Sequence, residues 1–160
     1  MNVSHLLRRP GSTREVHLEV PVSDLETRFA RIDEGTPVTL DLRLESLSQG
    51  VVANGRVRGR WSAVCSRCLV PIERDFDLRL RELFEEDPVE DETYPLRADH
   101  IDLEQPLRDL IVPDLPIVPL CDAECRGLCP SCGVNRNETL CECDIAPRDP
   151  RWDALRDLEL

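Results

Sequence analysis

Eight cysteines fall in three bursts along this chain: Cys65-x2-Cys68, then Cys121-x3-Cys125-x3-Cys129-x2-Cys132, then Cys141-x-Cys143. The first dozen residues hold Arg8 and Arg9 but only Leu6 and Leu7 as an apolar patch, so no signal peptide is expected and the setting reads as cytoplasmic. In a reducing compartment, cysteines in such spacings read as metal ligands before disulfides. A redox Cys-x2-Cys would need a thioredoxin-like βαβ context, and the surrounding pattern offers none. Zinc takes four thiolates at tetrahedral corners, and a Cys-x2-Cys turn supplies two from one stretch of backbone. Eight thiolates make two complete sites.

Cys129-Pro-Ser-Cys132-Gly133 has the form of a metal knuckle, with glycine allowing the left-handed residue that turns amides toward sulfur. Cys141-Glu-Cys143 lies close enough to close that site locally. Cys65 and Cys68 then join Cys121 and Cys125, which would staple a sheet to the C-terminal region. The other pairing, Cys65 and Cys68 with Cys129 and Cys132, stays open on spacing alone, as does iron–sulfur in place of zinc. Cys125-x3-Cys129-x2-Cys132 also matches the cluster motif of radical enzymes, but those place it ahead of a barrel. All-cysteine sites are closed, whereas catalytic zinc keeps an open position and favours His or carboxylate among its ligands. His5, His17 and His100 are scattered, and there is no phosphate loop or nucleophile elbow. The chain reads as a non-enzyme.

Its 160 residues suffice for one domain with an appendage, and no apolar run approaches the ~20 residues of a membrane span. Val16, Leu18 and Val20 alternate as an edge strand. Ser23-Asp-Leu-Glu26 forms a capping box ahead of Leu25, Phe29 and Ile32, which predicts a short helix over 24–33. Period two then takes over: Val38, Leu40, Leu42 and Leu44, a turn at Ser48-Gln49-Gly50, a strand region over 51–64 broken, bulged or turned as a tight hairpin near Asn54-Gly55, and another over 72–83. Residues 82–104 carry ten acids against Arg97 alone and read as a solvated loop. A helix over 103–112 ends at Pro113, and Asp149, Pro150, Trp152, Leu155 and Leu158 suggest a last one. The expected class is α+β: an antiparallel β-sheet, with barrel closure left open, few short helices, and a cysteine-rich zinc-binding C-terminal tail. Residues 1–100 form the β domain. Residues 101–160 hold a helix, the cysteine-rich segment and the terminal helix.

All twenty basic residues are arginine, and the formal net charge is −12, which disfavours broad nucleic-acid binding. Two Trp, one Tyr and three Phe are too few for a base-stacking platform. Between Ser46 and Ile72, however, Arg56, Arg58, Arg60 and Arg67 occur without an acid. The first three share one face of a strand, so they are the candidate RNA-phosphate contacts, with Arg67 held rigidly inside the first knuckle. The competing reading is a solvated face.

Cys65-Ser-Arg-Cys68-Leu, Leu115-Pro-Ile-Val-Pro-Leu-Cys121, Cys125-Arg-Gly-Leu-Cys-Pro-Ser-Cys-Gly-Val-Asn-Arg-Asn137, Cys141-Glu-Cys143 and Asp149-Pro-Arg-Trp152 together resemble the YceD family. These are bacterial and plastid proteins named for large ribosomal RNA accumulation. The resemblance implies a cytoplasmic, non-catalytic ribosome biogenesis factor that supports 23S rRNA synthesis, processing or stability by binding rRNA or a large-subunit protein. The alternative is a zinc-ribbon module acting on the transcription machinery through protein contacts.

Overall fold

The computed structural model describes residues 1–7, 9–90, 92–143 and 151. The chain runs α1 (Ser4–Leu7), β1 (Thr13–Pro21), β2 (Ala30–Arg31), β3 (Pro37–Ser46), β4 (Gly50–Val64), β5 (Pro71–Glu85), β6 (Tyr94–Arg97), β7 (His100–Ile101) and α2 (Glu104–Ile111), with a 3-10 turn over Val112–Asp114. The sheet order is β1-β3-β4-β5-β6-β7. All its ladders are antiparallel except one: β6 joins β5 in parallel, Phe84 opposite Tyr94. The sheet is therefore a curled, mixed half-barrel rather than a purely antiparallel one.

Period two decides which side chains enter the core. Val38, Leu40, Leu42 and Leu44 of β3 are buried, as are Val51, Ala53 and Val57 of β4 and Phe76, Leu80 and Phe84 of β5. Leu6 of α1 and Leu107 and Ile111 of α2 close over this face. The opposite face carries the polar partners of the same strands. β1 fills the expected edge position and, among the described residues, pairs only with β3.

Three expectations need correction. The helix over 24–33 is absent, because Asp24 turns left-handed at φ 56° and the chain folds back as a hairpin. Ile32 donates to the Leu25 carbonyl at 2.9 Å, and the Thr27 hydroxyl accepts the Phe29 and Ala30 amides. A hairpin brings Leu25 and Ile32 inward together while Phe29 stays exposed, so the seven-residue spacing has a second solution. Second, β4 is continuous, without break, bulge or hairpin turn at Asn54-Gly55. Gly55 is instead a point of close approach, where a Cβ would fall on the Asp41 carbonyl oxygen. Third, residues 82–104 are not a single loop: they contain the end of β5 and all of β6 and β7, anchored by buried Phe84, Leu96 and Ile101. Apart from Arg151, the helix proposed over 149–158 lies outside the described residues.

Candidate metal centres and the outer sheet face

The turn between β4 and β5 is the first knuckle. Cys65 donates its amide to the Val70 carbonyl at 2.8 Å, and Leu69 donates to the Cys65 carbonyl at 3.0 Å. The same pattern recurs at the second knuckle, where Cys129 bonds Val134 at 2.8 Å and Gly133 bonds Cys129 at 2.9 Å. Both turns need a left-handed residue just after their second cysteine: Leu69 at φ 60° and Gly133 at φ 74°. Glycine takes that conformation freely, whereas leucine is strained there by about 1–2 kcal/mol.

The eight cysteines gather as Cys65, Cys68, Cys121 and Cys125, and as Cys129, Cys132, Cys141 and Cys143, the sulfurs of each group lying within 4.8 Å of one another. Each group could hold a metal ion. Tetrahedral thiolates about 2.3 Å from zinc stand roughly 3.8 Å apart; Cys65 and Cys125 Sγ are 3.8 Å apart, Cys68 and Cys121 Sγ 3.5 Å. The donor set is therefore of the right size and softness for such an ion.

Amides favour thiolate in both groups. Burial opposes ionisation of Cys65, but backbone N–H groups of Cys68, Cys121 and Arg67 outweigh it and bring the thiol down to about 6. The Cys132 and Ser131 amides lower Cys129 to about 6. Neighbouring thiolates act the other way: Cys125 and Cys68 push Cys121 up to about 12, and Cys132 pushes Cys143 up to about 12. Four thiolates this close repel one another, and a dication is the natural remedy.

Three side chains outside the cysteine pattern brace the first group. Arg67 Nη1 donates to the Cys125 carbonyl at 2.9 Å and to that of Ala123 at 3.3 Å. Arg74 Nη2 donates to the Cys121 carbonyl at 2.7 Å. Asn137 Nδ2 donates to Cys125 Sγ at 3.3 Å, while its carbonyl oxygen accepts the Arg126 amide at 2.8 Å. Such outer contacts orient ligands. The residues 135–137, Asn-Arg-Asn just beyond a knuckle, were the available signal for the last of these. Nothing in the sequence singled out Arg74.

Arg56, Arg58 and Arg60 do lie on one exposed face of β4. The acids missing from their own strand arrive from its neighbours. Arg56 meets Asp77 at 3.0 Å, Arg58 meets Asp41 at 2.7 Å, and Arg60 meets Asp75 at 2.7 Å. The stripe is acid-free in sequence but not in space. His17 first, then Arg58, hold the Asp41 carboxyl below its usual range, and Arg60 does the same for Asp75.

A family model described as "Large ribosomal RNA subunit accumulation protein YceD" matches residues 53–159. The chain belongs to the YceD family. The YceD match takes in all eight cysteines, most of β4 and all of β5, and leaves β1 to β3 outside it. An uncharacterized protein of Mycobacterium tuberculosis is 36% identical over 170 residues, covering 97% of this chain and 78% of that protein. One from Mycobacterium leprae is 32% identical over 84% of this chain and 65% of its own length. The Arabidopsis thaliana protein named large ribosomal RNA subunit accumulation protein YCED homolog 1, chloroplastic, is 32% identical over 41% of this YceD chain and 20% of its own. No solved structure matches.

Proposed function

We propose that this chain is a non-catalytic, zinc-stabilised ribosome biogenesis factor of the cytoplasm. It supports 23S rRNA synthesis, processing or stability, and hence large-subunit assembly, by binding rRNA or a large-subunit protein. The observation that carries the reading is the YceD match, whose description names accumulation of the large ribosomal RNA. The chemistry of the two groups agrees with it, since four thiolates leave a metal no position for water or substrate. These sites are staples. The first joins the β4–β5 turn to a segment 60 residues away. No helix among the described residues is long and apolar enough to cross a membrane.

For Arg56, Arg58 and Arg60 to contact RNA, a phosphate must displace Asp77, Asp41 and Asp75 from them, so their net contribution is small. Arg67 is committed to two carbonyls and serves the metal centre. Deleting the gene should lower mature 23S rRNA relative to 16S and shift ribosomes toward incomplete large subunits. Unchanged subunit profiles, including in the cold, reject the assignment.

One observation favours the second reading, a protein-interaction module of the transcription machinery. Leu69, Ile117 and Val118, in the first knuckle and in the segment leading to Cys121, are exposed by 61%, 74% and 64%. Co-purification before and after ribonuclease treatment separates the two: transcription subunits that survive the nuclease support the second reading, whereas rRNA or large-subunit proteins support the first.

A further inference from the structure

We propose that the outer face of the sheet carries a phosphate-binding patch, built by Arg43, Asn54, Arg79 and Arg81, that takes the backbone of single-stranded RNA. The proposal rests on the reading of the chain as an rRNA factor and places its contact away from the arginines that the sequence singled out.

The strand register assembles the patch. Arg43 of β3 stands opposite Asn54 of β4, which stands opposite Arg81 of β5. In the next row, Asp41, Arg56 and Arg79 face one another in the same way. Strands lie about 4.8 Å apart, so Arg43 and Arg81 are anchored about 10 Å from each other across β4. A shallow cavity of about 220 Å3 opens between them, lined by Arg43, Glu45, Leu47, Val52, Asn54 and Arg81.

The charge of this patch is not cancelled as that of the stripe is. Among the described residues, the guanidinium groups of Arg43, Arg79 and Arg81 make no ion pair or hydrogen bond. Arg56 stands directly opposite Arg79 but is paired with Asp77, in the row farther from Arg81. Like charges facing across a ladder are destabilising. Glu45 in the cavity wall, Glu15 opposite Arg43 on β1, and Asp41 and Asp77 in the adjoining rows are acids at the border. None comes within ion-pair distance of Arg43, Arg79 or Arg81, and Asp41 and Asp77 are engaged by His17, Arg56 and Arg58. An arriving anion therefore meets free donors rather than occupied ones. Guanidinium forks match phosphate oxygens, and the Asn54 amide adds a neutral donor between them.

The other face of the sheet is closed by α1 and α2, whereas these rows are open to solvent. None of their residues is aromatic, so the patch would hold phosphates without reading bases. In a chain of net charge −12, such an island also fixes where a polyanion lands.

The test is fluorescence anisotropy with a labelled oligouridylate. Three phosphate contacts on a single strand give a slope of log K against log salt of about −2, a loss of about 20-fold between roughly 50 and 200 mM salt. Replacing Arg43, Arg79 and Arg81 together by Gln should weaken low-salt binding by about tenfold or more and flatten the slope by about 0.7 per residue. The Arg56, Arg58 and Arg60 triple Gln variant should retain most of the affinity. Both must keep the wild-type metal content and urea midpoint. The proposal is overturned if wild-type protein does not bind the oligouridylate, if the first variant binds it as well as wild type, or if polyglutamate displaces it as readily as unlabelled oligouridylate. The last result assigns the patch to an acidic protein. A deletion strain keeps the two readings apart: if deletion lowers 23S rRNA and the first variant restores it fully, the patch fails while the family role stands.

Discussion

Gly127 lies against the backbone of Arg67: a Cβ at residue 127 would stand 3.0 Å from the Arg67 carbonyl oxygen, and that same oxygen accepts the Leu128 amide at 3.0 Å. Leu128 directly precedes the second knuckle, so this contact seats one candidate metal centre on the other. Gly127 is also left-handed, at φ 70°. Gly127→Ala should cost on the order of 1–2 kcal/mol from backbone strain alone, with more from crowding Arg67. Competition with a chromophoric chelator should show weaker metal binding at the first centre. Unchanged affinity at both centres would mean that they are independently held.

Elemental analysis should return two zinc ions per chain. Cys65→Ser should abolish one and Cys129→Ser the other, since their sulfurs belong to different groups. Structural zinc contributes on the order of 10 kcal/mol or more of apparent binding energy, so chelation should also unfold the tail. Cys132 is exposed whereas Cys65, Cys68 and Cys125 are buried. A chelator should therefore strip the second centre first. A single concerted release contradicts this order.

Acid should erase part of the outer-face stability. Asp33, Asp41 and Asp75 are all held below the usual carboxylate value of 3.8, chiefly by Arg31, His17 and Arg60 respectively. A depressed folded value means the contribution is present above 3.8 and lost as pH falls through the lowered values. Asp41→Asn should thus be less stable than wild type at neutral pH, and the gap should close in strong acid. Urea titrations across pH measure it, and metal loss in acid affects both proteins alike. A gap that persists in strong acid excludes Asp41 as its source.

Gly55→Ala places a methyl group where the Asp41 carbonyl oxygen already sits, at 2.0 Å. Neither is a flexible side chain, so β3 and β4 must part. A loss of about 3 kcal/mol is expected in urea unfolding, with disturbance of the diagonal ion pair between Arg58 and Asp41. Wild-type stability would show that the strands can separate there at little cost.

Much of this was legible in the chain because period two is a strong signal. The inward rows of β3 and β5 follow directly from it, and the cysteine spacing favours the two groups that the fold assembles while leaving the pairing of Cys65 and Cys68 with Cys129 and Cys132 open until the fold decides. Local patterns failed where two structures satisfy one spacing. Leu25 and Ile32 fit a helix face or the two arms of a hairpin, and only the left-handed Asp24 decides. Charge failed for a different reason. The acids that neutralise Arg56, Arg58 and Arg60 lie 15 to 21 residues away along the chain and become neighbours only through the ladders. Arg43 and Arg81, separated by an intervening strand, could not be read as one patch without the register.

The long span of the first metal centre also sets an order of events in time. Cys65 and Cys68 are synthesised well before their partners, with 60 residues between Cys65 and Cys125. At about 5–20 residues per second, that interval is roughly 3–12 s. For those seconds the nascent chain displays an unfinished thiol pair at the tip of its longest hairpin. Closing the site thus marks the moment when the C-terminal segment has emerged, and a chain that stalls earlier stays recognisably incomplete.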